Sequence, residues 1–223
     1  MNTIFFDYDG CIHDSLIIYA PAFRKAQEYF VGLGLADERF WPESEIRQWI
    51  GQNPKEMWQR FRLDLPKDIR KIASTIIGEH MLSIIETAAR LYPRALATLG
   101  PLKVGGYSLV LISNCRKSYL NTHNKVFSLD RYFEKLICSE TWHFASKTAI
   151  FAQVVNEYHA NYAIVGDREV DIEAGKFNNM IAIAARYGYA HSSSELEKAD
   201  LLIDNIEDRK YSDCNNASRF SES

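Results

Sequence analysis

Little in this chain speaks for a covalent staple, a membrane span or a polyanionic partner. Only four cysteines occur in 223 residues: Cys11, Cys115, Cys138 and Cys214, far apart and without a CxxC pair. Neither a disulfide framework nor a thiolate zinc site is expected, and free thiols in a reducing compartment fit that spacing. No stretch approaches the roughly 20 apolar residues of a membrane helix. The apolar run within residues 1–7 is too short for a secretory signal, and no basic stretch precedes it. Charge of one sign is scarce as well. The 26 basic and 29 acidic side chains leave a net charge of -3, and the pI is near 6.1. Nucleic acid and anionic membranes are therefore offered no general attraction. A cytoplasmic protein with neither as partner is the expectation.

What is present is the material of a packed domain. Hydrophobic residues make up 47% and aromatics 13%, which excludes disorder for the bulk of the chain. The length suits one large domain, or a core with a smaller insert. Short apolar runs alternate with helix-length segments. Residues 3–6, 109–112, 136–138, 162–165, 181–184 and 201–203 read as strands apolar on both faces, the mark of a buried parallel sheet with helical crossovers. An α/β doubly wound fold follows, with chemistry expected at the carboxyl ends of the strands.

One interval breaks the alternation. Residues 15–91 hold no convincing strand but carry helical spacing, as at Ile69, Ile72, Ala73, Ile76, Ile77, Met81, Ile84, Ile85 and Ala88. Pro21, Pro42, Pro54 and Pro66 punctuate the interval and are read as lying near helix starts. A βα loop normally takes only a few residues, so an all-helical domain inserted after the first strand is expected. The predicted division is residues 1–14 with 92–211 as core, 15–91 as insert and 212–223 as a disordered tail.

Chemistry gathers where strands end. Asp7-Tyr8-Asp9-Gly10 follows the first run. Carboxylates at i and i+2 of an extended segment share a side, and together they repel unless a cation lies between them. Ser113-Asn114 ends the second run, with a hydroxyl and backbone amides suited to an anion. Lys147 stands where a helix begins, a place the helix dipole disfavours for a cation. Gly166-Asp167-Arg168-Glu169-Val170-Asp171 ends the fourth run and adds two more aspartates. Oxygen donors of this kind suit Mg²⁺.

These four segments, in this order, resemble the motifs of the haloacid dehalogenase superfamily. The insert resembles the C1 helical cap of its phosphoglycolate phosphatase-like branch. The resemblance implies a Rossmann-like core, Mg²⁺, and hydrolysis of a small phosphorylated metabolite. It assigns Asp7 as nucleophile, Asp9 as acid and base, and Ser113, Asn114 and Lys147 as phosphate-binding residues. Asp7, Asp9 (through its carbonyl), Asp167 and Asp171 would hold the metal. Gln52, Asn53 and Lys55 fall where the cap would read the substrate. An acid at position 9 favours phosphate-ester chemistry over dehalogenation. A phosphomutase and a catalytically silent phospho-ligand-binding protein are the alternative functions.

Some positions depart from the pattern or stay open. Cys11 replaces the usual Thr and is read as structural, and Lys147 lacks the common following proline. Arg168 either touches substrate or, the preferred reading, forms a surface ion pair, and Cys115, Arg116 and Lys117 are read as helix-surface residues. His13 either faces the leaving group or serves as a hinge residue. Trp142-His143 either lines the entrance or packs.

Overall fold

The computed structural model describes residues 2–52, 54–158 and 161–208. The predicted tail, Asn53 and Cys214 lie outside the described residues.

Six strands form one sheet: β1 (Thr3–Asp7), β2 (Ser108–Ser113), β3 (Lys135–Cys138), β4 (Tyr162–Gly166), β5 (Ile181–Ala185) and β6 (Leu201–Ile203). The spatial order is β3-β2-β1-β4-β5-β6, and every ladder is parallel. All five residues of β1 are buried, because helices cover both faces. Ile4 and Phe6 join one apolar cluster with Leu109 and Leu111. Phe5 joins another with Val110 and Ile112, its ring edge-on to Phe151 at 4.9 Å. Burying a side chain of this size contributes about 1.5–3 kcal/mol.

Strand β1 is the centre of the sheet. The chain lays β2 and β3 on one side of it and β4 to β6 on the other, so the order reverses at β1. Open α/β sheets bind ligands at such a switch point, outside the carboxyl ends of the strands. The register sets Asp7 opposite Ile112 and Phe6 opposite Val165. The ends of β2 and β4 therefore flank the end of β1.

Between β1 and β2 run α1 (Leu16–Gly32), α2 (Glu43–Ile46), α3 (Pro54–Phe61), α4 (Lys67–Ala88) and α5 (Ala95–Val104). Helices α1, α3 and α4 share an apolar cluster that includes Ala22, Phe30, Trp58, Ala73 and Ile77. The two passages between sheet and helices run side by side: Asp14 N–H donates to Arg90 O, and Tyr92 N–H to Ile12 O. Pro42 and Pro66 are N-caps and Pro54 opens α3, but Pro21 lies inside α1. That proline was expected near a helix start. Its ring is accommodated in the second turn, within a helix packed along α4 over much of its length.

After β2 come α6 (Lys117–Phe127), α7 (Lys147–Val154) and α8 (Glu169–Phe177). No helix among the described residues is long and apolar enough to cross a membrane.

Candidate active site

Four side chains meet where β1 and β4 end. Asp7 Oδ1 accepts from its neighbour's backbone, Tyr8 N–H, at 2.8 Å, and from Lys147 Nζ at 2.6 Å. Lys147 is the first residue of α7, whose N-cap Ser146 accepts from Ala149 N–H. Its Nζ lies 2.5 Å from Asp171 Oδ1. Asp171, in the first turn of α8, accepts the Arg168 backbone N–H on Oδ2 at 3.1 Å. Asp167 accepts Tyr189 N–H on Oδ2 at 2.6 Å. Asp7, Asp167 and Asp171 each offer an oxygen within 4.8 Å of the others, and all three are buried.

Two glycines permit this density. Gly10 turns the chain at φ +90°, where a side chain would also overlap Asp167. A Cβ at Gly166 would overlap Asp171.

Three carboxylates against one ammonium leave, with all three ionised, two negative charges in a buried site. Burial pushes Asp7 well above the usual carboxylate range, and Asp171 adds to the shift against the pull of Lys147. Burial and Asp171 push Asp167 up to about 7. Burial works against the Lys147 ammonium, yet Asp171 and Asp7 outweigh it and hold the lysine charged. One oxygen, Asp167 Oδ1, is buried without a hydrogen-bond partner. Crowded hard oxygens, an excess of two negative charges and an orphaned lone pair fit a divalent cation such as Mg²⁺.

Asp9 lives differently. Its Oδ1 accepts from Tyr119 OH at 2.7 Å and lies 3.1 Å from His13 Nδ1. Ser113 Oγ stands 3.5 Å from its Oδ2. Burial raises the Asp9 carboxyl, but hydrogen bonds from His13 and Tyr119 outweigh it and leave the group below its usual range. His13 is wholly buried and stacks on Tyr8, so it is a packed residue that also touches Asp9. Tyr119 was not singled out in the sequence. Its signal lies in the spacing of Tyr119, Leu120, His123 and Phe127, the inner face of α6.

Beyond Asp7 and Asp9 opens a cavity of about 250 Å³. Its wall combines sheet-end residues Ser113, Asn114, Cys115 and Arg116 with Tyr19, Trp49, Gln52, Met57 and Met81 of the helical insert. Cys115 and Arg116 thus line the cavity, Arg116 while exposed at its rim, and Lys117 is exposed off it. Lys55 is exposed and stands off this wall. Asn114 donates its side-chain amide to Gly51 O at 3.1 Å. Trp142 packs against the β1–α7 apolar cluster, and His143 is exposed. Cys11 is buried with its thiol on Val165 O, and burial pushes that thiol up.

Arg168 is a correction. Expected at the surface, it is 6% exposed. Its guanidinium donates to Ile50 O at 2.5 Å and Glu195 Oε1 at 2.7 Å. It makes the ion pair expected of it, with Glu195, but that pair is buried because the insert folds back over it.

Comparison with known proteins accords with this geometry. A family model described as haloacid dehalogenase-like hydrolase matches residues 4–185. The phosphoglycolate phosphatase of Aquifex aeolicus is 26% identical over 200 residues, covering 88% of this chain and 90% of that protein. Phosphoglycolate phosphatase 1 of Pseudomonas aeruginosa is 25% identical over 217 residues, covering 93% and 78%. Among solved structures, a protein described as a predicted phosphoglycolate phosphatase from Haemophilus somnus superposes with a TM-score of 0.80 at 21% identity, covering 97% of both chains. CbbY of Rhodobacter sphaeroides, solved in complex with phosphate, gives a TM-score of 0.73 at 18% identity, covering 92% and 95%.

Proposed function

The chain belongs to the haloacid dehalogenase-like hydrolase family, and on that footing we propose that it is a Mg²⁺-dependent phosphatase of a small phosphomonoester. The observation that carries this reading is the meeting of Asp7, Asp167, Asp171 and Lys147 at the switch point of the sheet, with Asp9 beside them and a cavity in front. Phosphoglycolate is the nearest named substrate, through the relatives that carry that name. A sugar phosphate is the other member of the class.

In this reading an Asp7 carboxylate oxygen attacks phosphorus. The new O–P bond forms as the bond to the leaving alcohol breaks, giving an acyl phosphate on Asp7. Asp9, which first takes up a proton against the hold of His13 and Tyr119, gives that proton to the departing oxygen. As carboxylate it then takes a proton from the water that cleaves the intermediate and frees phosphate. Tyr119 and His13 hold Asp9 in place for both transfers. Ser113, the Asn114 backbone amide and Lys147 bind phosphoryl oxygens, and Lys147 keeps Asp7 oriented. The metal, held by Asp7, the Asp9 carbonyl, Asp167 and Asp171, would neutralise charge that develops on the phosphoryl oxygens. Residues 15–91 act as a cap over a core of 1–14 and 92–211, and Gln52 contributes to substrate choice from the cavity wall. A cytoplasmic setting belongs to the same reading.

The experiment is phosphate release from a panel of phosphomonoesters, phosphoglycolate and sugar phosphates included, with Mg²⁺ and with chelator. Wild type should turn over one or two compounds only with Mg²⁺, and Asp7→Asn should lose at least about 10³-fold. Absence of release from folded, Mg²⁺-loaded wild type across the panel refutes the reading.

A further inference from the structure

We infer that Arg168 is a positioning residue that latches the helical insert onto the loop carrying Asp167 and Asp171. Its kinetic consequence rests on the phosphatase reading; its structural consequence rests on the geometry alone.

Three acceptors from two segments meet on this one guanidinium. Nη1 donates to Ile50 O at 2.5 Å, across from the insert. Nε donates to Glu195 Oε1 at 2.7 Å, and Nη2 lies 2.7 Å from His191 Nε2. Guanidinium nitrogens only donate, so His191 Nε2 is the acceptor there. Glu195 is itself fixed, taking Glu169 N–H on Oε1 and His191 N–H on Oε2. The backbone of Arg168 meanwhile donates to Asp171 Oδ2 and follows Asp167 directly. One residue therefore holds a metal-site carboxylate with its main chain and the insert with its side chain.

The grip falls on the part of the insert that closes the cavity. Trp49, Ile50, Gly51 and Gln52 all line it. The approach is close: at Gly51, φ +83°, a Cβ would sit 3.3 Å from Arg168 Cγ. Two further bonds seat the same segment, Asn114 Nδ2 to Gly51 O and Arg47 Nη2 to Gly188 O at 2.7 Å. Arg168 differs from both in being buried and clamped on its far side by Glu195. When Ile50 withdraws, Nη1 loses its acceptor in a place poor in water, so the latched arrangement is favoured. A lysine could not reproduce this, because a point charge lacks the fork that serves three acceptors at once.

The test compares full-length wild type with Arg168→Met, Arg168→Lys and Gly51→Ala, the last altering only the insert. Amide hydrogen exchange is followed through residues 47–52 and through β1 and β4, and kcat and KM are measured on the best panel substrate with Mg²⁺. Exchange at 47–52 should quicken about tenfold in all three variants while β1 and β4 stay protected, the size expected for one lost buried hydrogen bond. KM should rise about tenfold with a smaller fall in kcat, and Arg168→Lys should not rescue it. Unchanged exchange at 47–52, or equal acceleration across the sheet, overturns the latch. A variant kcat/KM within twofold of an active wild type overturns its kinetic role. An inactive wild type would instead count against the phosphatase reading, and the exchange result would still decide the latch.

Discussion

Asp7 and Asp9 stand two residues apart, yet the fold treats them in opposite ways. Around Asp7 the protein gathers charge: two further carboxylates and a single ammonium, all buried. Around Asp9 it gathers hydrogen bonds, from Tyr119 and His13. The first carboxyl is driven above its ordinary range by burial and by Asp171. The second is brought below it by His13 and Tyr119 against the pull of burial. The Asp7 neighbourhood is incomplete without added positive charge, whereas the Asp9 neighbourhood is complete as it stands. Environments that push two carboxyls apart mark a division of roles: Asp7 needs a cation beside it to stand as a carboxylate, whereas Asp9 is already held as one.

Removing the Lys147 cation from the Asp7 cluster should break the comparison hardest. Lys147→Met leaves three buried carboxylates uncompensated, and breaking such a pair costs about 3–5 kcal/mol. For a chain of this size that is on the order of 10 °C in Tm. Thermal unfolding in chelator checks it, and added Mg²⁺ should restore part of the loss. Equal melting of variant and wild type in chelator would mean that Lys147 does not balance the cluster.

The reverse change should have the reverse sign. Asp167 titrates near 7 in the folded protein against an ordinary value of 3.8, so the folded state holds the proton more tightly. Stability from this group is present below pH 3.8 and is lost as pH rises toward 7. Asp167→Asn keeps an acceptor for Tyr189 N–H and removes the charge. In chelator at neutral pH the variant should be more stable by on the order of 2–4 kcal/mol. With Mg²⁺ the order should invert. Melting curves at pH 5 and pH 7.5, with and without metal, test both halves.

The contrast between the two carboxyls was only half legible in the sequence. Asp7, Asp167, Asp171 and Lys147 announce themselves because each ends an apolar run or begins a helix, and a parallel sheet brings strand ends together whatever the loops do. The strands were legible for the same reason: a run buried on both faces has little polar sequence to confuse it. The Asp9 neighbourhood was hidden. Tyr119 is 110 residues from Asp9 along the chain and reads as one more apolar-face residue of α6. Arg168 was expected to pair at the surface, and its pair with Glu195 is instead buried where residues 47–51 return over it. Contacts between insert and core depend on how two bodies meet, which no local pattern records.

A smaller effect should follow at Asp9. Tyr119→Phe removes the hydroxyl's bond to Asp9 and its 3.3 Å contact with His13 Nδ1, and leaves the ring in place against His123. In the phosphatase reading, a less well held Asp9 should lower turnover about tenfold, out of the 10²–10⁴ that a positioned acid contributes. The loss should be larger for an alkyl phosphate than for p-nitrophenyl phosphate, whose leaving group needs little help from an acid. Identical losses on both substrates would separate Tyr119 from proton transfer.

The smallest effect concerns what lies behind that neighbourhood. His123 is wholly buried, its Nδ1 2.6 Å from Tyr8 OH and its ring 4.4 Å from that of His13. Burial first, and then His13, lowers its pKa from 6.5 to about 3. The unfolded chain therefore takes up a proton below pH 6.5 that the folded chain refuses, and this contribution to stability falls as pH drops from 6.5 toward 3. At pH 5.5 the cost is about 1 kcal/mol, a few degrees in Tm. His123→Gln keeps an acceptor for Tyr8 OH and cannot be protonated, so its Tm should decline less than that of wild type between pH 7 and pH 5.5. Parallel decline of the two proteins would mean that the acid sensitivity does not arise at His123.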